Sequence, residues 1–149
     1  MRIHGLCLCL IFSLTLSLCL VAEATQPDPE KTPGFLCSPQ DPNFSGFTYP
    51  SHVARCKRNV SLQEKKKVAM EYGNIPESDW PNYEFDHLFP LCTGGSDDIR
   101  NIWPQPLGEA HEKDVLENQV CLELRTGTTT QTEAIEKIRD WIVFHYFLE

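Results

Sequence analysis

Apolar residues fall along this chain in three patterns. Leu6 to Val21 is apolar almost without interruption. Leu62, Val68, Ala69 and Tyr72, and later Ile135, Ile138, Trp141, Ile142 and Tyr146, recur at helical spacing, which buries one face of each helix. Between these lie short apolar runs bounded by Gly, Pro, Asn and Asp, the punctuation of strands and turns. The first helix is expected over Leu62–Tyr72. It is capped by Asn59 or by Ser61, the latter completing a capping box with Glu64, and it ends at Gly73. A second runs from Ala110 to about Arg125, with Gly127 as its stop. A third opens on the box Thr130-Gln131-Thr132-Glu133 and continues to about Phe147. Two short strands, Tyr83–Phe89 and Arg100–Trp103, are joined by a Gly-rich loop. So few strands set between helices predict a small α+β domain.

The continuous apolar run has a different meaning. Arg2 precedes it and Ala22-Glu23-Ala24 follows, and at 16 residues diluted by Ser13, Thr15 and Ser17 it is short for a membrane span. It reads as a secretory signal peptide, residues 1–24, cleaved after Ala24. The expected location is therefore secreted or periplasmic, with no stable membrane association after cleavage. Residues 25–50 are rich in Pro, Gly, Asn and Asp and read as an extended, loop-rich arm pinned by Cys37; residues 51–149 form the domain proper. Asn43-Phe44-Ser45 and Asn59-Val60-Ser61 are glycosylation sequons by pattern.

Cysteine usage agrees with export. Cys7, Cys9 and Cys19 leave with the leader, and Cys37, Cys56, Cys92 and Cys121 remain without any C-x-x-C pair. An even number in an exported chain favours two disulfides over a metal site. Four cysteines allow three pairings, and Cys37–Cys56 with Cys92–Cys121 is the expected one.

Charge complicates the choice of partner. Removing Arg2 and Glu23 takes one charge of each sign, so the net charge stays at −8, which argues mildly against nucleic acid. Yet Arg55, Lys57, Arg58, Lys65, Lys66 and Lys67 concentrate half of the remaining 12 basic residues in thirteen positions. A solvated helix face is the plain reading of such a run; a grip on a phosphate backbone is the functional one.

The stretch from Glu84 to Pro106, EFDHLFPLCTGGSDDIRNIWPQP, carries the candidate chemistry. Hydrolysing a phosphodiester with one metal ion needs a base for water and a cation for the leaving 3′ oxygen. Neutral imidazole suits the first, and hard carboxylate or amide oxygens holding Mg²⁺ suit the second. Asp86, His87 and Asn101 are of those types and come together across the expected hairpin. Adjacent residues on a regular strand point to opposite faces, so Asp86 and His87 reach one site only at a strand end or bulge. Asp97 and Asp98 read as turn residues, Trp103 as core, and His52 and His145 as structural or surface groups. Thr93 and Ser96 have no base arranged for nucleophilic catalysis.

DHLFPLCTGGSDDIRNIWPQ resembles the signature of the HNH family of ββα-metal nucleases: D-H-x-x-P-L, a Gly-Gly-Ser turn, an Asn and a later helical His. His87 and Asn101 are fourteen apart and His111 follows ten later, within a residue of that pattern, over Glu84 to about Cys121. The resemblance implies a two-stranded hairpin packed on a helix, with additional helices before and after. It implies an exported, metal-dependent endonuclease acting on DNA, with RNA as an alternative; contacts made mostly to phosphates would give little sequence preference. His87 would activate water and Asp86 would bind the divalent ion, with Mg²⁺ expected ahead of Mn²⁺, Ca²⁺ or Zn²⁺. Asn101 would either bind the metal or tie down the loop that orients His87, and His111 would complete the metal site. Asp114 and Asn118, on the same helical stripe, are alternatives to His111. Two readings compete: a secreted, disulfide-stabilised binding module with an inactive hairpin of this shape, and a hydrolase of other phosphodiesters.

Overall fold

The computed structural model describes residues 26–148, so the expected leader, residues 1–24, lies outside the described residues. The protein is α+β. An antiparallel pair, β1 (Phe44–Thr48) and β2 (Val53–Cys56), precedes helix α1 (Leu62–Glu71). A second pair, β3 (Tyr83–His87) and β4 (Ile102–Pro106), leads into α2 (Leu107–Thr126) and α3 (Gln131–Phe147). Among the described residues no helix is long and apolar enough to cross a membrane.

Local chemistry accounts for the helix ends. Ser61 caps α1 by accepting from the Glu64 N–H while Glu64 Oε2 accepts from the Ser61 N–H, and Thr130 and Glu133 repeat the arrangement on α3. Gly127, at φ 73°, ends α2 in the left-handed conformation. Helix α2 begins at Leu107, three residues before its expected start, because Pro104 and Pro106 do not interrupt β4. In a two-stranded sheet each strand has a free edge, where a missing N–H costs nothing.

The second hairpin is the layer around which the helices pack. Phe85 and Ile102 face Val68 and Ala69 of α1. Trp103, fully buried, faces the other way with Val120 and Leu124 of α2 and Ile135, Ile138 and Ile142 of α3, and its ring meets Tyr146 edge-on at 5.4 Å. Trp103 is core, as expected. In register, Asp86 lies opposite Trp103 and His87 opposite Ile102, so these neighbours leave the strand on opposite faces.

The arm departs from expectation. Its Pro- and Asn-rich composition suggests loop throughout, yet Phe44–Thr48 is a strand and pairs across the expected boundary at residue 50 with β2. Alternation of half-buried and exposed positions over only five residues is too short a signal to stand out among turn formers. The rest of the arm is loop, with turns at 29–31 and 39–43, and it is laced to the loop between β3 and β4 and to the start of β4. Cys37 N–H donates to Gly94 O (2.8 Å), Ser96 N–H to Phe35 O (3.0 Å) and Thr32 Oγ1 to Ile102 O (3.2 Å).

The path of the loop itself explains the paired glycines. Gly94 has φ +87°, and a Cβ on Gly95 would lie 1.8 Å from the Phe89 carbonyl oxygen. The disulfides are Cys37–Cys56 and Cys92–Cys121, as expected, with Cα–Cα distances of 5.8 and 5.6 Å. The first ties the arm to β2, and the second ties the loop after β3 to α2.

Two outcomes follow. Gly95→Ala forces backbone to move and should lower stability by about 3 kcal/mol or more in urea unfolding; a loss under about 1 kcal/mol contradicts the close approach. Replacing Cys92 and Cys121 together by Ser releases a closure of 29 residues and should cost roughly 3–4 kcal/mol in the same measurement.

Candidate active site

His87 is the last residue of β3, and its ring is 2% exposed. Its Nε2 lies 2.8 Å from Asp97 Oδ1. A carboxylate can only accept, so Nε2 carries the proton and Nδ1 presents its lone pair. The guanidinium of Arg58 stands 3.4 Å from Nδ1 and also donates to Phe85 O at 3.2 Å. Burial pushes the imidazole below its ordinary pKa; the Asp97 hydrogen bond opposes this and the Arg58 charge adds to it. The neutral ring is favoured, with a defined tautomer and one basic nitrogen directed at Arg58.

Asp97 is therefore not the turn residue its Gly-Gly-Ser-Asp-Asp context suggests. It is 3% exposed, and its Oδ2 accepts from the Asn59 N–H (2.6 Å) and from Asn43 Nδ2 (3.3 Å). The two sequon asparagines also bond to each other, at 3.2 Å. Asp98 does serve the turn, accepting from the Arg100 N–H and pairing with its guanidinium. The only sequence signal for Asp97 was its carboxylate; its partner became visible when the loop closed.

Asn101 closes that loop. Fully buried, it accepts from Phe89 N–H at 3.0 Å and donates to Phe89 O (3.0 Å) and Ser96 O (2.9 Å). Of its two expected roles, loop tie or metal ligand, its polar atoms are spent on the first.

Asp86 leaves the opposite face and meets α2. Its Oδ2 accepts from Lys113 Nζ at 2.6 Å; the same ammonium donates to His87 O at 2.6 Å and to Glu117 Oε1. Burial works against the charge on Lys113, but Asp86 and Glu117 outweigh it and its pKa is raised. Burial raises Glu117 to about 7 despite its lysine partner, with Asp86 and Asp114 adding to the rise. Lys113 and Glu117 were missed by sequence reasoning. Their spacing of four places them on the buried stripe of Ala110, Val120 and Leu124, which was the available signal.

At the end of β3 a hollow of about 200 Å³ brings the two faces together, lined by Arg58, Asp86, His87, Glu117 and the Cys92–Cys121 bridge. The strand end thus removes the objection to two adjacent site residues. Next to it a groove of about 700 Å³ shares Arg58, Leu91 and Cys92 and is lined by Arg55, Lys57 and Arg125 as well. Arg125, on α2, was not foreseen. On the other side Arg58 and Lys65 border a hollow of about 340 Å³ with Trp80, Tyr83 and Glu84. The rest of the basic run divides: Lys66 pairs with Glu77 at 2.8 Å, and Lys67 lies on the exposed face of α1.

The expected metal ligands do not assemble. Asn101 is committed to backbone, and Asp86 holds an ammonium. His111 is exposed and stands two residues, about 200° of helix, from Lys113. Asp114 and Asn118 are exposed too. Among the described residues one trio of Cys, His, Asp or Glu brings its donor atoms within 4.8 Å: Cys37, Asp41 and Cys56. Its sulfurs are joined to each other and offer no thiolate, and Asp41 Oδ2 accepts from Ser96 Oγ.

The pKa directions set opposed pH dependences. His87, depressed, binds fewer protons folded than unfolded, so its contribution to stability is lost as pH falls below about 6.5. Glu117, raised to about 7, binds more when folded, so stability falls as pH rises from 4.5 towards 7. Between pH 7 and 5, Glu117→Gln should therefore lose stability more steeply than wild type, and His87→Gln less steeply, in denaturant titrations across that range. Parallel curves for all three proteins would contradict both assignments.

Against models of known protein families, characterised proteins and solved structures, the chain shows no match.

Proposed function

We propose that the chain is an exported phosphodiester hydrolase, an endonuclease acting on DNA, with RNA as an alternative substrate. The observation that carries this reading is the buried Asp97–His87 pair. Its Nδ1 meets the Arg58 guanidinium, and Arg58 in turn lines a groove with Arg55, Lys57 and Arg125. The spacing of His87 and Asn101, which resembles the HNH signature, supports it independently. Export is supported by the expected leader and by two disulfides, which persist in oxidising compartments.

The chemistry uses the chain's own groups. A substrate phosphate draws the Arg58 guanidinium into charge-assisted hydrogen bonds and thereby uncovers Nδ1. His87 then takes a proton from water as the water oxygen bonds to phosphorus and the bond to the leaving oxygen breaks. That oxygen departs with the proton of the imidazolium, passed directly or through water, which restores the neutral ring. Asp97 holds the tautomer and stabilises the transient cation. Arg55, Lys57 and Arg125 bind flanking phosphates, which carry no base information, so little sequence preference is expected.

The test compares plasmid, single-stranded DNA and RNA as substrates. His87→Ala and Asp97→Asn should each reduce cleavage by about 10²–10⁴-fold. Because His87 is buried against a carboxylate, its removal also costs roughly 1–3 kcal/mol, so rates are read well below both unfolding transitions. Cleavage that survives His87→Ala sinks the assignment. A wild type that binds nucleic acid without cutting it turns the reading to a binding module.

A further inference from the structure

The oxygen cage at the end of β3 already contains a cation. Lys113 Nζ has three N–H donors and three acceptors, Asp86 Oδ2 and His87 O at 2.6 Å each and Glu117 Oε1, so its hydrogen-bonding capacity is filled. The side chain is 1% exposed and enters from α2, across from the strand that carries the base. Two carboxylates and a carbonyl are the hard oxygens that would otherwise hold Mg²⁺. We infer that the Lys113 ammonium is the resident cation of this site, tethered where the resemblance expects a divalent ion, and that the protein acts without a bound metal. This rests on the nuclease reading for its activity arm and on the cage geometry alone for its binding arm.

A divalent ion at Asp86 would have to push the ammonium out of a closed space or sit beside it against like charge. Neither the Asn101 amide nor the His111 ring is placed to recover that cost. Lys113 does not face the hollow that would hold substrate, so it is a positioning residue. By gripping Asp86 Oδ2 and the His87 carbonyl together it fixes the main chain of the residue whose ring is the base. Its i,i+4 partner Glu117 holds the ammonium from within the same helix, so the cage spans strand and helix.

The experiment uses the full secreted protein, stripped with chelator. Wild-type cleavage in EDTA and in Mg²⁺ or Mn²⁺ should agree within about twofold; a loss of about 10²-fold or more in EDTA, restored by the ion, overturns the inference. Binding is read separately from thermal unfolding with Mn²⁺ alone. The wild-type midpoint should not move, whereas Lys113→Met, whose empty cage faces two carboxylates, should be stabilised by Mn²⁺. If Lys113→Met fails to fold unaided, recovery of folded protein on adding Mn²⁺ is the same supporting result. A wild type stabilised by Mn²⁺, or a Lys113→Met protein indifferent to it, overturns the inference. Absence of cleavage under every condition defeats the nuclease reading and leaves the unfolding arm to decide this one.

Discussion

The Asn101 side chain accepts the Phe89 N–H and donates to the Phe89 and Ser96 carbonyls, so one buried amide closes both ends of the loop between β3 and β4. Each of those backbone groups would otherwise be left without a partner in the interior, at about 1–3 kcal/mol apiece. The closure dictates the rest of the site. It requires Gly95, because the Phe89 carbonyl occupies the space a Cβ would need. It also brings Asp97 back onto His87 across ten residues of chain. The arm then docks on the closed loop through Cys37 and Phe35, and the Cys37–Cys56 bridge carries that docking to β2, next to Arg58. His87, the Asp97 carboxylate bonded to it and the Arg58 guanidinium over it are thus held by elements that converge on a single turn.

Strand alternation divides the charges into two sets with different work. His87 faces Asp97 and Arg58, where a neutral ring with one unprotonated nitrogen can exchange a proton once the guanidinium moves aside. Asp86 faces Lys113 and Glu117, where a fixed ion cluster surrounds an ammonium buried from solvent. A buried ion pair is not by itself evidence of stability, since desolvation costs rival the attraction. What this cluster supplies is position: Lys113 also holds the His87 carbonyl, so the second set anchors the main chain of the first. Two disulfides brace the same region from either side.

Much of this was legible in sequence. Both capping boxes, the apolar stripe of α3 and the pairing of the cysteines follow from local chemistry, which short windows record faithfully. The hairpin with Asp86, His87 and Asn101 was legible because a strand, a Gly-Gly turn and an Asn at fixed intervals constrain one another. Asp97 was misread because Asp beside Gly and Ser is usually a turn former, and its burial depends on contacts from Asn43 and Asn59, 54 and 38 residues away. Lys113 was overlooked because a lysine is expected at the surface; the strand opposite, together with Glu117 on its own helix, makes its burial tolerable. His111 illustrates the converse. Sequence spacing fits the signature, but the turn of α2 carries Lys113, not His111, to the strand.

On the proposed reading, the groove reconciles an acidic chain with an anionic substrate. Net charge sets long-range behaviour, and at −8 it slows encounter with nucleic acid at low salt. Within about 10 Å, a Debye length at moderate salt, the local set decides. There Arg55, Lys57, Arg58 and Arg125 line the groove, and among the described residues none of them has an ion-pair partner such as Glu77 gives Lys66, while Asp86 and Glu117 in the adjoining hollow are turned onto Lys113. Caging the lysine therefore has a second effect on the groove. It offsets one of the two negative charges that would otherwise repel a phosphate beside His87, so the cluster that anchors His87 also eases the approach to it.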